Sequence, residues 1–135
     1  MENRPIFFTF CSAKKNDALR DSSEEVTPDM LYTSQRVRSF VAASKAKKVL
    51  RAILSDEYGV WFPDIEDKWY ETRPDDAISD FPRLLSDFDE KMKNFGIIHF
   101  CPGVGGPRIH RLYRRLLRES RLKDRIKTTY FMDIA

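Results

Sequence analysis

The chain has 135 residues, is 41% hydrophobic and 33% charged, and carries a net charge of +3, which suits one compact domain with a real core and argues against two. No stretch approaches the roughly 18 continuous apolar residues of a membrane span, and the N-terminus lacks the basic-then-apolar layout of a secretion signal. Cys11 and Cys101 are too few and too far apart for a disulfide framework or a CxxC metal knuckle. The expectation is a soluble cytoplasmic protein with reduced thiols, one α/β domain over residues 1–135 and no membrane partner.

In chain order, Pro5-Ile6-Phe7-Phe8-Thr9-Phe10 is an apolar run that reads as a buried strand, and it delivers Cys11-Ser12-Ala13-Lys14-Lys15 at its end. A thiol, a hydroxyl and two amines leave one strand end together. Such a cluster suits an anion, a carbonyl or a nitrile, with cationic donors able to depress a thiol pKa; a plain solvated Ser-Lys loop is the alternative. Residues 16–31 are polar, contain Pro28 and show no sustained period, so they are expected to form a long loop. Thr33 or Ser34 can cap a helix with the stripe Val37, Phe40, Val41 and Ser44, ending near Ala46.

Val49 to Leu54 is the second expected strand, closing at Ser55. Residues 56–79 are expected to be an irregular connection that carries Tyr58, Trp61, Phe62, Trp69 and Tyr70. These aromatics either cover the core or stack on a base. Asp80 before Phe81-Pro82 predicts a helix start, followed by the stripe Phe81, Leu84, Leu85, Phe88, Met92 and Phe95 with Gly96 as terminator. Ile97 to Cys101 predicts a third strand. The Pro102–Pro107 turn then leads into a basic helix over 107–122 with Ile109, Leu112, Tyr113, Leu116 and Leu117 inside, and residues 126–134 predict a last strand.

The order β-α-β-α-β-α-β implies a small three-layer Rossmann-like domain with a mostly parallel four-stranded sheet. Ligands of such sheets bind outside the carboxyl ends of the strands, where Cys11, Ser55 and Cys101 fall. Gly103, Gly105 and Gly106 can offer backbone N–H groups at a helix N-terminus to an anion, or serve only as a tight strand-to-helix turn. The turn is not a Walker loop, having no Gly-Lys-Ser/Thr ending, and the dinucleotide fingerprint fails because Arg108 takes the third glycine's place. Arg111, Arg114, Arg115 and Arg118 share one helix face that Arg108 extends, suited to a nucleic-acid backbone. Residues 56–90 hold twelve Asp/Glu against three Lys/Arg, so pairing between that acidic middle and the basic helix is the competing expectation. His99 and His110 have no carboxylate at metal-ligand spacing, so no metal or other cofactor is expected.

The motifs Cys11-Ser12-Ala13-Lys14-Lys15, Leu31-Tyr32-Thr33-Ser34 and Ile53-Leu54-Ser55-Asp56-Glu57-Tyr58-Gly59, in that order, resemble a bacterial and phage family of uncharacterised domains. That family opens with a Cys-Ser/Gly-x-Lys-Lys loop and continues with Leu-Tyr-Thr-Ser and Ile-Leu-Ser-Ala-Lys-Tyr-Gly. The opening motif is also similar to the Cys-Ser-Ala-Lys-Lys of the archaeosine synthases, which add an amine to the nitrile of a 7-deazaguanine in tRNA and whose domain is similar to uracil-DNA-glycosylase-like folds. Here Asn16-Asp17-Ala18 replaces the synthase Pro-Tyr-Ser run, and Asp56-Glu57 replaces the family's Ala-Lys.

The resemblance implies chemistry on a nucleobase, modified base or nucleotide, either 7-deazaguanine-type base modification or N-glycosidic cleavage, with nucleic acid as a partner. Cys11 and Lys14 are the candidate nucleophile or acid/base groups, and Glu57 (or Asp56) the candidate carboxylate. Ser12, Lys15, Ser55 and the Gly103–Gly106 amides would hold the polar edge or phosphate, while Tyr32, Tyr58 and Trp61 pack on the base. The alternative from the residues alone is a non-catalytic module that binds nucleic acid or a protein partner through helix 107–122, in a setting such as phage-host conflict.

Overall fold

The computed structural model describes residues 4–12, 14–102 and 109–129. Its core is a mixed α/β arrangement around a five-stranded, mostly parallel sheet in the order β3 (Gly59–Trp61), β2 (Leu50–Ser55), β1 (Ile6–Phe10), β4 (Ile98–Phe100), β5 (Ile126–Thr128). Strand β1 (Ile6–Phe10) is buried at every position, as a central parallel strand covered on both faces must be. It pairs in parallel with β2 (Leu50–Ser55) from Ile6↔Leu50 to Phe10↔Leu54, and with β4 (Ile98–Phe100) from Ile6↔Ile98 to Phe8↔Phe100. Strand β5 (Ile126–Thr128) adds in parallel outside β4. The chain therefore leaves β1 toward one side of the sheet and later returns to its other side.

Alternation along β1 shows which helices cover which face. Thr9 accepts a hydrogen bond from Arg36 of helix α2 (Gln35–Ala46) at 2.6 Å. Phe8 and Phe10, on the opposite face, meet Phe88 of α4 (Phe81–Met92) and Tyr113 of α5 (Arg111–Glu119), with ring centroids 5.5 and 5.2 Å apart. Phe8, Phe88 and Phe100 are fully buried, so truncating any one to alanine removes about 3–5 kcal/mol.

Local chemistry explains the helix limits. Ser34 caps α2 by accepting from Val37 N, and Val37, Phe40, Val41 and Ser44 are the buried stripe its spacing predicts. Helix α4 starts after Asp80 with Pro82 in its first turn, and buries Phe81, Leu84, Phe88 and Met92. Helix α5 begins at Arg111, four residues later than the sequence predicts, because the His110 imidazole caps it by accepting from Leu112 N at 3.0 Å. That bond leaves His110 Nε2 as donor to Asp75 at 2.7 Å.

The fifth strand is the main departure from the four-stranded expectation. Within the stretch read as irregular, β3 (Gly59–Trp61) folds back antiparallel on β2 with Ser55 opposite Gly59. The Ser55 hydroxyl accepts from Glu57 N and Tyr58 N at 3.1 and 3.0 Å, which satisfies the turn's amides. A single-turn helix, α3 (Pro74–Ala77), also lies in this stretch, and another, α1 (Pro28–Leu31), lies in the expected 16–31 loop. Val26 and Asp67 exchange backbone hydrogen bonds of 2.8 and 2.9 Å, which tie that loop to the second half of the connection. The Gly103–Arg108 turn and most of the predicted last strand beyond Thr129 lie outside the described residues.

Gly59 makes the β2-β3 reversal possible. Its φ is +71°, and a Cβ there would stand 2.2 Å from Asp87 Oδ2. Asp87 has little room to yield, since it accepts from Val60 N at 2.7 Å and pairs with Lys91 at 2.9 Å. Gly59→Ala is expected to lose about 1–3 kcal/mol of stability through backbone strain and the displaced carboxylate, read as a lower urea midpoint with an unchanged m-value.

Candidate active site

Cys11 and Asp56 meet just past the carboxyl ends of β1 and β2. Cys11 N donates to Leu54 O at 2.9 Å, one step beyond the strand pairing. Arg36 donates to the carbonyls of Phe10 and Cys11 at 2.9 and 3.0 Å, so the backbone that presents the thiol is gripped from both sides. The Cys11 thiol donates to Asp56 Oδ1 at 3.4 Å, and its sulfur lies 3.1 Å from the Tyr113 hydroxyl. Both residues are almost wholly buried, at 6% and 3% exposure.

A cavity of about 310 Å³ opens above this pair. Cys11 and Asp56 form part of its lining, with Ser12 and Lys15 from the loop after β1; Arg20 and Trp69 to Pro74 (Tyr70 excepted) supply the rest. The loop is fixed by Asn16 N donating to Leu31 O at 2.8 Å and Thr33 N donating to Lys14 O at 3.1 Å. That pairing sets the Lys15 ammonium over the Tyr70 ring at 4.4 Å and the Trp69 ring at 5.7 Å. Arg20 lies over Trp69 as well, at 5.1 Å.

Beneath the cavity runs a chain of hydroxyls. Tyr32 and Tyr70 share a short hydrogen bond, and Ser55 donates to the Tyr70 hydroxyl at 3.2 Å. Tyr70 also hydrogen-bonds Asp56. The carboxyl is therefore approached from below by a phenol and from the side by a thiol.

Burial dominates the electrostatics. It pushes the Cys11 thiol up to about 11, the Asp56 charge adds to that, and the Tyr113 hydrogen bond partly offsets both. The expected depression by lysines is absent, because Lys15 is held over Tyr70 and Lys14 projects into solvent. Burial also raises Asp56, against hydrogen bonds from Tyr70 and Cys11 and the nearby Lys15 charge. Desolvation raises Tyr70, Tyr113 and Tyr32 well above the ordinary phenol value. Near neutral pH the resting thiol is therefore protonated and in hydrogen-bond contact with the Asp56 carboxyl group, which is placed to exchange a proton with it.

The other sequence candidates are distributed differently. Ser12 and Lys15 join Cys11 in the cavity. Lys14 contributes its carbonyl, which accepts from Ser12 Oγ at 3.1 Å, while Glu57 accepts from Thr72 Oγ1 at 2.7 Å and stands one layer behind the wall. Tyr32, Ser55 and Trp61 are sealed in the core, and Trp61 donates to Ile65 O at 2.8 Å, so none offers a face to a base. Tyr58 is half-buried and edge-on to Trp61 and Tyr70. Gly103, Gly105, Gly106 and Arg108 lie outside the described residues.

Arg111, Arg114, Arg115 and Arg118 are exposed on α5 and, with Ile78, Phe81 and Leu112, line a separate cavity of about 380 Å³. The acidic middle does not neutralise them among the described residues. Arg115 pairs with Glu119 of its own helix at 2.7 Å and lies 3.9 Å from the Phe81 ring centre, and Arg118 also faces Glu119 at 3.9 Å.

Arg36, Tyr70 and Tyr113 were not singled out by sequence as groups around the thiol. Tyr113 sits in the leucine stripe of a helix and Arg36 in the first turn of another, where nothing local distinguishes them from ordinary packing and surface residues. No group of three or more His, Cys, Asp and Glu fit to hold a metal occurs among the described residues, and no helix among them is long and apolar enough to cross a membrane. The chain matches no family model, no curated protein and no solved structure.

With the thiol near 11, only about one molecule in ten thousand is thiolate at pH 7. Alkylation of Cys11 by iodoacetamide is expected to be slow there and to accelerate close to tenfold per pH unit until about pH 10. Asp56→Asn removes a charge that opposes the thiolate and shifts the profile to lower pH; Tyr113→Phe removes a hydrogen bond that favours it and shifts the profile to higher pH. Site-resolved mass spectrometry over pH 6–11 reads all three, and identical profiles would exclude the Cys11–Asp56–Tyr113 coupling.

Proposed function

We propose that the protein is a nucleobase- or nucleotide-directed enzyme of nucleic-acid modification, acting by addition of the Cys11 thiol to an electrophilic carbon of a 7-deazaguanine-type base. The observation that carries this reading is the thiol-carboxyl contact at the floor of a cavity bordered by cations. With a nitrile, Sγ bonds to the carbon as one C–N π bond breaks, and the thiol proton passes through Asp56 to the nitrogen to give a thioimidate. An incoming amine then displaces the thiol, so the net change is amine added to nitrile with no oxidant or reductant. Tyr113 donates to the sulfur once the thiol proton has moved to Asp56.

Three further points support this reading over N-glycosidic cleavage and over Lys14 and Glu57 as the reacting groups. The nucleophile position is filled by sulfur; Asp56, with its raised affinity for a proton, is in direct contact with it; Lys14 and Glu57 are one layer away. The parallel β2-β1-β4-β5 arrangement, with the cavity outside the carboxyl ends, supports reading the fold as Rossmann-like and related to the uracil-DNA-glycosylase type. Incubation with 7-cyano-7-deazaguanine is expected to add the mass of the nitrile base to the intact protein. Cys11→Ala is expected to abolish the adduct, and Asp56→Asn to slow its formation about 100-fold or more, in the range of lost general-base assistance. Undiminished adduct in Cys11→Ala would overturn the assignment.

The exposed arginine row favours a second reading, a module that binds nucleic acid through α5. Binding of a single-stranded oligonucleotide should then fall steeply with salt. Neutralising Arg111, Arg114 and Arg118 together should flatten the log-log salt slope by about 2, and a slope unchanged by the triple variant would remove this reading.

A further inference from the structure

A half-buried ammonium ordinarily has an acceptor, because desolvating it without one is costly. Lys15 borders the active-site cavity above two aromatic faces, and although its charge acts on Asp56, its ammonium makes no hydrogen bond or ion pair among the described residues. Cation–π contact returns part of the lost solvation and leaves all three N–H donors available. Arg73, also bordering the cavity, is exposed and makes no ion pair among the described residues either, whereas Arg20 is engaged by Asp17 at 3.3 Å.

The buried part of the cavity has the opposite character. Asp56 is buried beside an un-ionised thiol, so an anionic group is repelled there and attracted toward Lys15 and Arg73. Glu71 shares that wall but is exposed, where solvent and salt screen it. A ligand with one neutral planar end and one anionic end is therefore oriented before any specific base contact forms. Two cations suit a phosphate, which carries close to two negative charges when terminal, and a volume of about 310 Å³ is at the lower end for a small-molecule site.

We propose that the substrate carries a phosphate held by Lys15 and Arg73, so that the preferred substrate class is a nucleoside phosphate, free or within a chain, which binds more tightly than the free base that reacts at Cys11. This rests on the base-directed reading above and names the part of the substrate that the reaction leaves untouched.

Calorimetric titration of guanosine, guanosine 5′-monophosphate, a short single-stranded oligoribonucleotide and inorganic pyrophosphate tests it. The monophosphate is expected to bind about 10- to 100-fold tighter than the nucleoside, the range of added charge-assisted hydrogen bonds. Lys15→Gln should remove most of that advantage while leaving guanosine affinity unchanged, and Lys15→Arg should keep it. An oligoribonucleotide that binds tighter than the monophosphate assigns the phosphate to a chain, and the reverse assigns it to a free nucleotide.

Equal affinities for nucleoside and nucleotide, or equal weakening of both by Lys15→Gln, would overturn the phosphate site while leaving the base-directed reading in place. Pyrophosphate binding that depends on Lys15, with no nucleoside binding at all, would keep the phosphate site and remove the base-directed reading.

Discussion

The interaction on which the site depends is the burial of one carboxyl group, Asp56, against one thiol at the end of two paired parallel strands. A carboxylate at 3% exposure is costly unless each oxygen is approached by donors. Here those donors are the Cys11 thiol and the Tyr70 hydroxyl, with the Lys15 charge nearby. The same burial holds the thiol in its protonated form. The thiol is not set up to be charged in the way an exposed loop cysteine beside two lysines would be, and what links it to Asp56 is a short path for one proton.

That geometry is inherited from the sheet. Because β1 and β2 are in register to Phe10↔Leu54, residues 11 and 56 emerge at nearly the same level, and the Ser55 turn bends β2 away into β3 before Asp56 can continue the strand direction. Arg36 then fixes the β1 end by three hydrogen bonds to Thr9, Phe10 and Cys11. Ser55, Tyr70 and Tyr32 form the layer below. Tyr32, which the sequence places on the base, and Ser55, which it places on the polar edge, thus become support beneath Asp56, a common division between groups that touch a ligand and groups that hold those groups still.

What the sequence made legible follows from period and adjacency. Helices α2 and α4 were readable because each repeats an apolar stripe over three turns with a capping or proline signal at its start, and β1 because it is a continuous apolar run. Strand β3 was not, since three residues cannot display alternation and Gly59 reads equally well as a loop glycine. The α5 start shifted because an imidazole acted as the cap, a role that composition does not advertise. In the site, Cys11, Ser12 and Lys15 were readable because they directly follow a strand end. The choice between Asp56 and Glu57 turned on which way a tight turn aims two adjacent carboxylates, and that is decided by the Ser55 hydrogen bonds and by Thr72 holding Glu57 outside. Trp69 and Arg73 reach the cavity only through the tertiary course of an irregular segment.

Helix α5 links the two functional readings physically. Its inner face places the Tyr113 hydroxyl 3.1 Å from the Cys11 sulfur, and its outer face carries Arg111, Arg114 and Arg118 in solvent. One element thus carries a row of exposed arginines on one side and a hydroxyl against the candidate nucleophile on the other. Its N-terminus is tied through His110 and Asp75 to α3, whose first residue, Pro74, borders the active-site cavity. The two proposed readings therefore draw on opposite faces of one helix. On those proposed readings the buried phenol against the thiol belongs to the chemistry, and the arginine row, which the acidic middle leaves unpaired among the described residues, belongs to the docking.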